Sequence, residues 1–291
     1  MTASVEFGFF PEPKASALPD LVRRVRWADA HGLDLIGIQD HPYQRRFADT
    51  FVLLAHLAAV TERIRFFPDV ASLPMRGPAM LAKQSTTIDL LSGGRFELGL
   101  GAGGFWDAIE AMDGPRRTPG EALAALREAI AVIRGLWRDQ RGLRIAGEHY
   151  SLAGVHGGPV PAHDISIWVG GYGPRMMGLI GEVADGWVPS MAFLPPDALR
   201  ERGDLLDEAA VAAGRDPRSI RRIYNISGSI QDGHEAGDKA ITGPVSMWIE
   251  RLTELARTHR IDGFILWPSG DVDTQLARYT DEVVPAVREL L

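Results

Sequence analysis

Short apolar runs alternate along the chain with longer stretches whose apolar positions recur every three or four residues. The first pattern predicts buried strands and the second predicts amphipathic helices. Strands are expected at 5–10, 33–38, 64–70, 95–100, 166–169, 186–188, 220–226 and 261–267. Helices are expected at 19–30, 50–60, 78–92, 120–137, 174–184, 196–213, 245–257 and 275–290. In the first helix Leu21, Val22, Val25 and Ala28 share a face and Gly32 stops the pattern. Pro78 suits a first helical turn, and Gly93-Gly94 suit the end of the same helix.

Strands alternating with helices imply a parallel sheet with right-handed crossovers. Eight such pairs in 291 residues fit a (β/α)8 barrel, the TIM-barrel fold class. No linker or low-complexity stretch divides the chain, so one domain is expected across 1–291. The longest unassigned stretches are 101–119, 140–164 and 227–244, the last holding the polar run 231–239. The first and third follow strands and are expected above the C-terminal face. The second precedes a strand, so its end belongs on the opposite face.

Composition narrows the chemistry. The hydrophobic content of 45% excludes a disordered chain, and a net charge of −7 gives no footprint for nucleic acid. There is no cysteine, which removes disulfides, thiolate metal sites and cysteine nucleophiles. The start, MTASVEFGFF, has no leader pattern, and no apolar run is long enough to span a membrane, so a cytoplasmic protein is expected. A Schiff-base mechanism needs a lysine at a strand end, but Lys83 falls in a helix and Lys14 and Lys239 in loops. The eight histidines are scattered and no metal site is expected. A G-x-S-x-G elbow is also missing.

Two glycine-rich stretches follow strands. Gly99, Gly101 and Gly104 match a G-x-G-x-x-G spacing, which raises a dinucleotide fold as a competitor. The match follows the fourth strand rather than the first, and a loop with Pro115 and Pro119 comes next. The second stretch, Gly170-Gly171-Tyr172-Gly173-Pro174-Arg175, leads from a strand into a helix. It is either a tight turn or a phosphate cradle. Helix N-termini present free N–H groups and partial positive charge, and Arg175 adds a bidentate donor.

Strand ends supply the remaining candidates: Asp40-His41-Pro42, Asp69-Val70, Asn225 and Ser227, Trp267 and Ser269. His41 is the best proton-handling group, with Asp40 available to hold its tautomer; otherwise it is a structural histidine in a turn. Glu110, near Phe105 and Trp106, is either an acid with a raised pKa or a solvated carboxylate. Phe9, Phe10, Phe105, Trp106 and Trp267 are candidates for an apolar pocket wall. A glycine-rich, aromatic mouth with few ionisable groups suits a bound cofactor that does the hard chemistry.

These residues also carry a resemblance. The chain resembles the luciferase-like flavin and deazaflavin oxidoreductases from residue 5 to about 290. The stretches that carry it are Asp40-His41-Pro42, LAAVTERIRF at 57–66, PAMLAKQSTTIDLLSGGRFELGLGAG at 78–103, IWVGGYGPRMM at 167–177 with ADGW at 184–187, and DGFILWPSGD at 262–271. The resemblance implies a reduced flavin or an 8-hydroxy-5-deazaflavin (coenzyme F420) at the C-terminal mouth. It implies a cis peptide at Asp69–Val70, forming a bulge behind the ring. It puts Gly101, Ala102 and Gly103 near the cofactor and gives the phosphate to Gly170 through Arg175. It sets His41 close to the reactive ring, and it matches Glu110 to an acidic position on a loop, GGFWDAIEAM, that departs from the commoner pattern. GYGPRMM and the Asp-His turn favour F420 and hydride transfer to or from a small organic substrate. FMN with oxygen, served by a separate reductase, is the alternative. A non-catalytic flavin binder is the alternative of another class. A homodimer is implied in either enzyme reading.

Overall fold

The computed structural model describes residues 5–233, 237 and 239–291. Its strands are β1 Glu6–Phe9, β2 Leu35–Ile38, β3 Arg65–Pro68, β4 Ala71–Ser72, β5 Leu98–Gly101, β6 Leu143–Ala146, β7 Ser151–Val155, β8 Ile167–Gly170, β9 Gly186–Trp187, β10 Arg221–Ile230, β11 Ile241–Gly243 and β12 Gly263–Pro268. The helices are α1 Leu18–Ala30, α2 Thr50–Ala59, α3 Pro78–Ser92, α4 Trp106–Glu110, α5 Pro119–Leu136, α6 Pro174–Val183, α7 Pro196–Ala212, α8 Val245–His259, α9 Val272–Arg278 and α10 Val284–Leu290. A π-helical turn, Tyr279–Val283, joins the last two.

The parallel strands run in the order β3-β2-β1-β12-β10-β9-β8-β5-β4. Phe66 N–H donates to Arg95 O (2.9 Å) and Glu97 N–H donates to Phe66 O (2.8 Å), which closes the seam between the third and fourth strand positions. β3 and β4 are two halves of one position, parted at Asp69–Val70, whose peptide is cis. The result is the eight-position barrel expected from the alternating pattern.

The third predicted strand, 64–70, therefore differs from the structure. Its first half pairs with β2 and its continuation with β5. Two further differences lie in the long stretches. Residues 140–164 contain the antiparallel hairpin β6–β7, although their end does sit at the N-terminal face, where His163 meets Asp89 and Glu97. The seventh strand runs on to Ile230 and adds β11 at its margin. Residues 234–236 and 238 of the polar run 231–239 lie outside the described residues.

Alternation along the strands divides the interior from the helix-facing layer. Leu35, Phe67, Trp168, Ile223 and Ile265 point inward and form one buried cluster with Phe10 and Val188. Phe67 and Trp168 meet edge to face at 5.0 Å. This plug fills the lower barrel. Arg65, Glu6, Glu97 and Arg221 pair beneath it. On the other surface of the strands, Ile36, Ile38, Phe66 and Leu100 pack against the helices.

Gly99 and Gly101 of β5 face inward beside the split strand. A Cβ at Gly99 would run into the Pro68 carbonyl oxygen, and one at Gly101 would lie 2.8 Å from Val70 Cγ2. These glycines let the parted strand pass close to β5, so their G-x-G spacing belongs to the barrel wall rather than to a dinucleotide turn. Because Pro68 O is backbone, Gly99→Ala is expected to lower stability by about 2 kcal/mol through overpacking. Urea denaturation checks this; an unchanged midpoint contradicts the assignment.

Candidate active site

All eight strand positions are parallel, so their C-terminal ends open on one mouth. Phe10, Asp40-His41, Asp69-Val70, Gly101 to Gly103, Gly170 to Arg175 and Trp267 all follow or end those strands. The folded chain thus gathers residues that the sequence spreads over more than 250 positions.

The Gly170–Arg175 turn leads into α6 with Gly173 at the N-cap, Pro174 in the first turn and no side-chain cap. Met176 and Met177 N–H groups bond back to Gly173 O at 2.9 and 3.0 Å. The N–H groups of Tyr172, Gly173 and Arg175 donate to no protein acceptor among the described residues. Space around Gly173 is open, since an added Cβ would meet nothing within 4 Å. The exposed Arg175 guanidinium pairs with no carboxylate among the described residues. Trp187 Nε1–H donates to Gly171 O at 2.9 Å and fixes the base of the turn. Free donors, open space and an available guanidinium at a helix N-terminus fit an anionic group such as a cofactor phosphate.

His41 lies half-buried between two aromatic rings. Tyr43 stacks on it at 5.3 Å and Phe105 meets it edge-on at 5.3 Å. Burial pulls the imidazole pKa below its ordinary value, with Asp40 opposing weakly. His41 is therefore neutral at pH 7, with one nitrogen able to accept a proton. Burial pushes the Tyr43 phenol up to about 12.

Asp40 does other work than holding the His41 tautomer. Arg76 Nε and Nη2 donate to its two oxygens at 2.8 Å each, and Ser72 N–H donates at 3.0 Å. The carboxylate is thus committed to Arg76, which reaches across from the turn before α3 and also pairs with Asp49 at 2.6 Å. The pair pins the β2 loop to the segment after β4, so Asp40 supports the site from behind.

Glu110 also stands apart from its expected surroundings. It lies on the exposed side of α4, where Arg116 Nε donates to it at 3.0 Å and Arg116 also pairs with Asp107. The apolar pocket that an acid there would need is not around it, because α4 turns its apolar side, Trp106 and Ile109, toward the core. Gly103 lies close to both Pro74 and Trp106, and Trp106 packs on the core, so this tryptophan anchors α4. Phe10 and Trp267 do form a wall, stacked at 4.8 Å and 22°, and Phe105 stays exposed at the rim.

Asp69 lies inside the barrel. Its Oδ1 accepts from Asn225 Nδ2 at 3.1 Å, and Asn225 Nδ2 also donates to Ser190 Oγ at 3.1 Å. Burial pushes the Asp69 carboxyl up to about 7, with the Asn225 hydrogen bond opposing. Tyr43, Arg76 and Ser190 were not among the sequence candidates. Tyr43, two residues beyond His41, and Ser190, just past a predicted strand end, had positional signals. Arg76 had none, because its partner lies 36 residues away.

The chain belongs to the luciferase-like monooxygenase family, whose model matches residues 3–285. It is 30% identical over 232 residues to an F420-dependent glucose-6-phosphate dehydrogenase of Nocardia farcinica, covering 76% of this chain and 68% of that one. It is 33% identical over 174 residues to the pyrimidine monooxygenase RutA of a Bradyrhizobium species, covering 58% of this chain and 47% of that one. The matches therefore span about half to two thirds of the relatives' length. Among solved structures, an F420-dependent secondary alcohol dehydrogenase with an F420-acetone adduct superposes with a TM-score of 0.87. That likeness covers 98% of this chain and 99% of that chain at 19% identity, and it concerns the fold.

Two measurements follow. Arg76→Met leaves the buried Asp40 charge without its partner and is expected to cost about 3–5 kcal/mol, read by denaturant unfolding. A cost under ~1 kcal/mol would contradict the bracing role. In a histidine NMR titration, the His41 ring is expected to titrate below the ordinary value of 6.5. A midpoint above that value would contradict its burial between Tyr43 and Phe105.

Proposed function

We propose that this protein is an F420-dependent oxidoreductase that moves a hydride to or from a small organic substrate at the barrel mouth. The observation that carries the reading is the uncapped α6 N-terminus, with its unpaired N–H groups and free Arg175, opening on the same mouth as the neutral His41. The F420-dependent relative supports the choice of cofactor. The pyrimidine monooxygenase relative supports the second reading, an FMN enzyme using oxygen with a separate reductase.

The residues present fit such a group. Tyr172, Gly173 and Arg175 would hold the phosphate through their free N–H groups and the guanidinium. Gly101, Ala102 and Gly103 would border the ring where β5 leaves the barrel, and Asp69-Val70 would lie behind it. Gly170 and Gly171 form the base of the turn, pinned by Trp187. When bound, F420 supplies a carbon centre that gives or accepts a hydride.

The rest is done by the chain. Tyr43 and Phe105 keep water from the His41 imidazole, which accepts or returns a proton at its free ring nitrogen. Phe10 and Trp267 offer an apolar wall for the substrate. Nothing in the surroundings of Glu110 supports a catalytic part for it. We also propose that the protein acts as a homodimer in the cytoplasm. The exposed Val52 on α2 and Met80 and Leu91 on α3 support a second copy as their cover.

The variants separate binding from chemistry. Arg175→Ala is expected to weaken F420 binding about tenfold, the loss of one charge-assisted hydrogen bond. Gly171→Ala would press on Met176, 2.6 Å from the added Cβ, and disturb the turn. His41→Ala is expected to keep affinity within ~3-fold while turnover falls about 10²–10⁴-fold. If both turn variants bind F420 as the wild type does, the phosphate reading fails. If His41→Ala turns over normally, the proton role fails.

A further inference from the structure

The eight barrel positions, taken in order, run β3/β4, β2, β1, β12, β10, β9, β8, β5. β3 and β10 are therefore diametrically opposed. The Asp69–Asn225 hydrogen bond, 3.1 Å, joins the end of β3 to the middle of β10 across the lumen. Below it lies the apolar plug of Phe67, Trp168, Ile223, Leu35 and Ile265. Above it lies the mouth. The pair is thus a polar crossbar between the plug and the mouth.

The crossbar is incompletely satisfied. Asp69 Oδ2 and Asn225 Oδ1 are both buried and lack a hydrogen-bond partner among the described residues. Asn225 is 4% exposed. An added Cβ at Gly37 of β2 would lie 2.9 Å from Asp69 Oδ2, so the free oxygen packs against the bare backbone of that glycine. Two unpaired acceptors at one buried place are costly unless a donor comes to them. A proton on Asp69 is the simplest donor.

We propose that Asp69 is a proton-holding residue of the cofactor site, which binds the ring with its carboxyl neutral and takes up a proton as the ring covers it. The inference rests on the reading of the mouth as a cofactor site. It gives Asp69 a part that the sequence reading gave to Glu110: a carboxylic acid kept neutral in an apolar place. The burial that already lifts its pKa to about 7 deepens when a flat ring closes the mouth. A neutral carboxyl then donates from Oδ2, while Oδ1 still accepts from Asn225.

The surroundings leave Asp69 free to do this. From the β8–α6 turn the titratable neighbour is Tyr172, whose phenol is raised by burial and, less, by the Asp69 charge. The β2 side carries His41 and the Asp40–Arg76 pair, and neither contributes to the Asp69 shift. From β10 and the segment after β9 come the neutral Asn225 and Ser190, and from β5 come glycines.

The test uses the whole protein, F420 and calorimetry in buffers of different ionisation heat, which counts protons taken up on binding. At pH 8 the wild type is expected to take up most of one proton more than Asp69→Asn, whose amide cannot titrate. Above pH ~7 the wild-type Kd should rise by up to tenfold per pH unit relative to the variant. Asp69→Asn keeps an oxygen for Asn225 and so retains the crossbar. An infrared difference spectrum of the wild type alone should gain a protonated-carboxyl band on binding. Equal proton counts, parallel pH slopes and no new carboxyl band, with F420 still bound, would overturn this inference and leave the cofactor reading standing. Failure of both F420 and FMN to bind at any pH would overturn the cofactor reading and this inference with it.

Discussion

The structure depends on how the barrel interior is filled. A closed eight-position barrel has room for layers of side chains, and what occupies each layer decides whether the mouth is a pocket. Here Phe67, Trp168, Leu35, Ile223 and Ile265 fill the lower layers with buried apolar side chains. At the top the wall thins to glycine at Gly37, Gly99, Gly101 and Gly170. The space at those positions is taken by the parted third strand, whose Pro68, Asp69 and Val70 lie where a Cβ would sit. The aromatic plug makes the fold stable and the glycines above it make a site possible, so stability and function come from adjacent layers of one cavity.

The parted third strand couples these layers to the chemistry. Because pairing shifts from β2 to β5 at Asp69-Val70, Asp69 turns inward and reaches Asn225 on the opposite wall. The same break leads to Ser72, whose N–H donates to Asp40, and to Arg76, which grips the rest of that carboxylate. Asp40 in turn precedes His41 in the loop whose Tyr43 and Phe105 contacts keep the imidazole neutral. Two titratable groups of the mouth, His41 and Asp69, thus share one scaffold. Each has its pKa moved chiefly by burial.

Much of this was legible from residue order. Short apolar runs alternating with stretches of helical period marked the eight strand–helix units within a few residues, because buried strands and amphipathic helices leave different apolar patterns. Strand-end positions then picked out His41, Asp69, the Gly170–Arg175 turn and Trp267, since a parallel barrel sends every such end to one mouth. Long-range partnerships were not legible. Asp40 looked like a partner for its neighbour His41 and is held by Arg76 instead. Glu110 looked like a pocket acid because Phe105 and Trp106 precede it, yet Trp106 packs on the core while Glu110, the last residue of α4, is exposed and pairs with Arg116. The β6–β7 hairpin was hidden because its strands are largely exposed and lack an apolar run. The link from Asp69 to Asn225 spans 156 residues and leaves no local trace.

The central claim is that this mouth is a deazaflavin site. Paired fluorescence titrations of the purified apo-protein with F420 and with FMN test it most directly. The account predicts saturable F420 binding that is clearly tighter than FMN binding and is weakened by added inorganic phosphate, which competes for the α6 N-terminus. Tighter binding of FMN, or F420 binding indifferent to phosphate at any concentration, would contradict it.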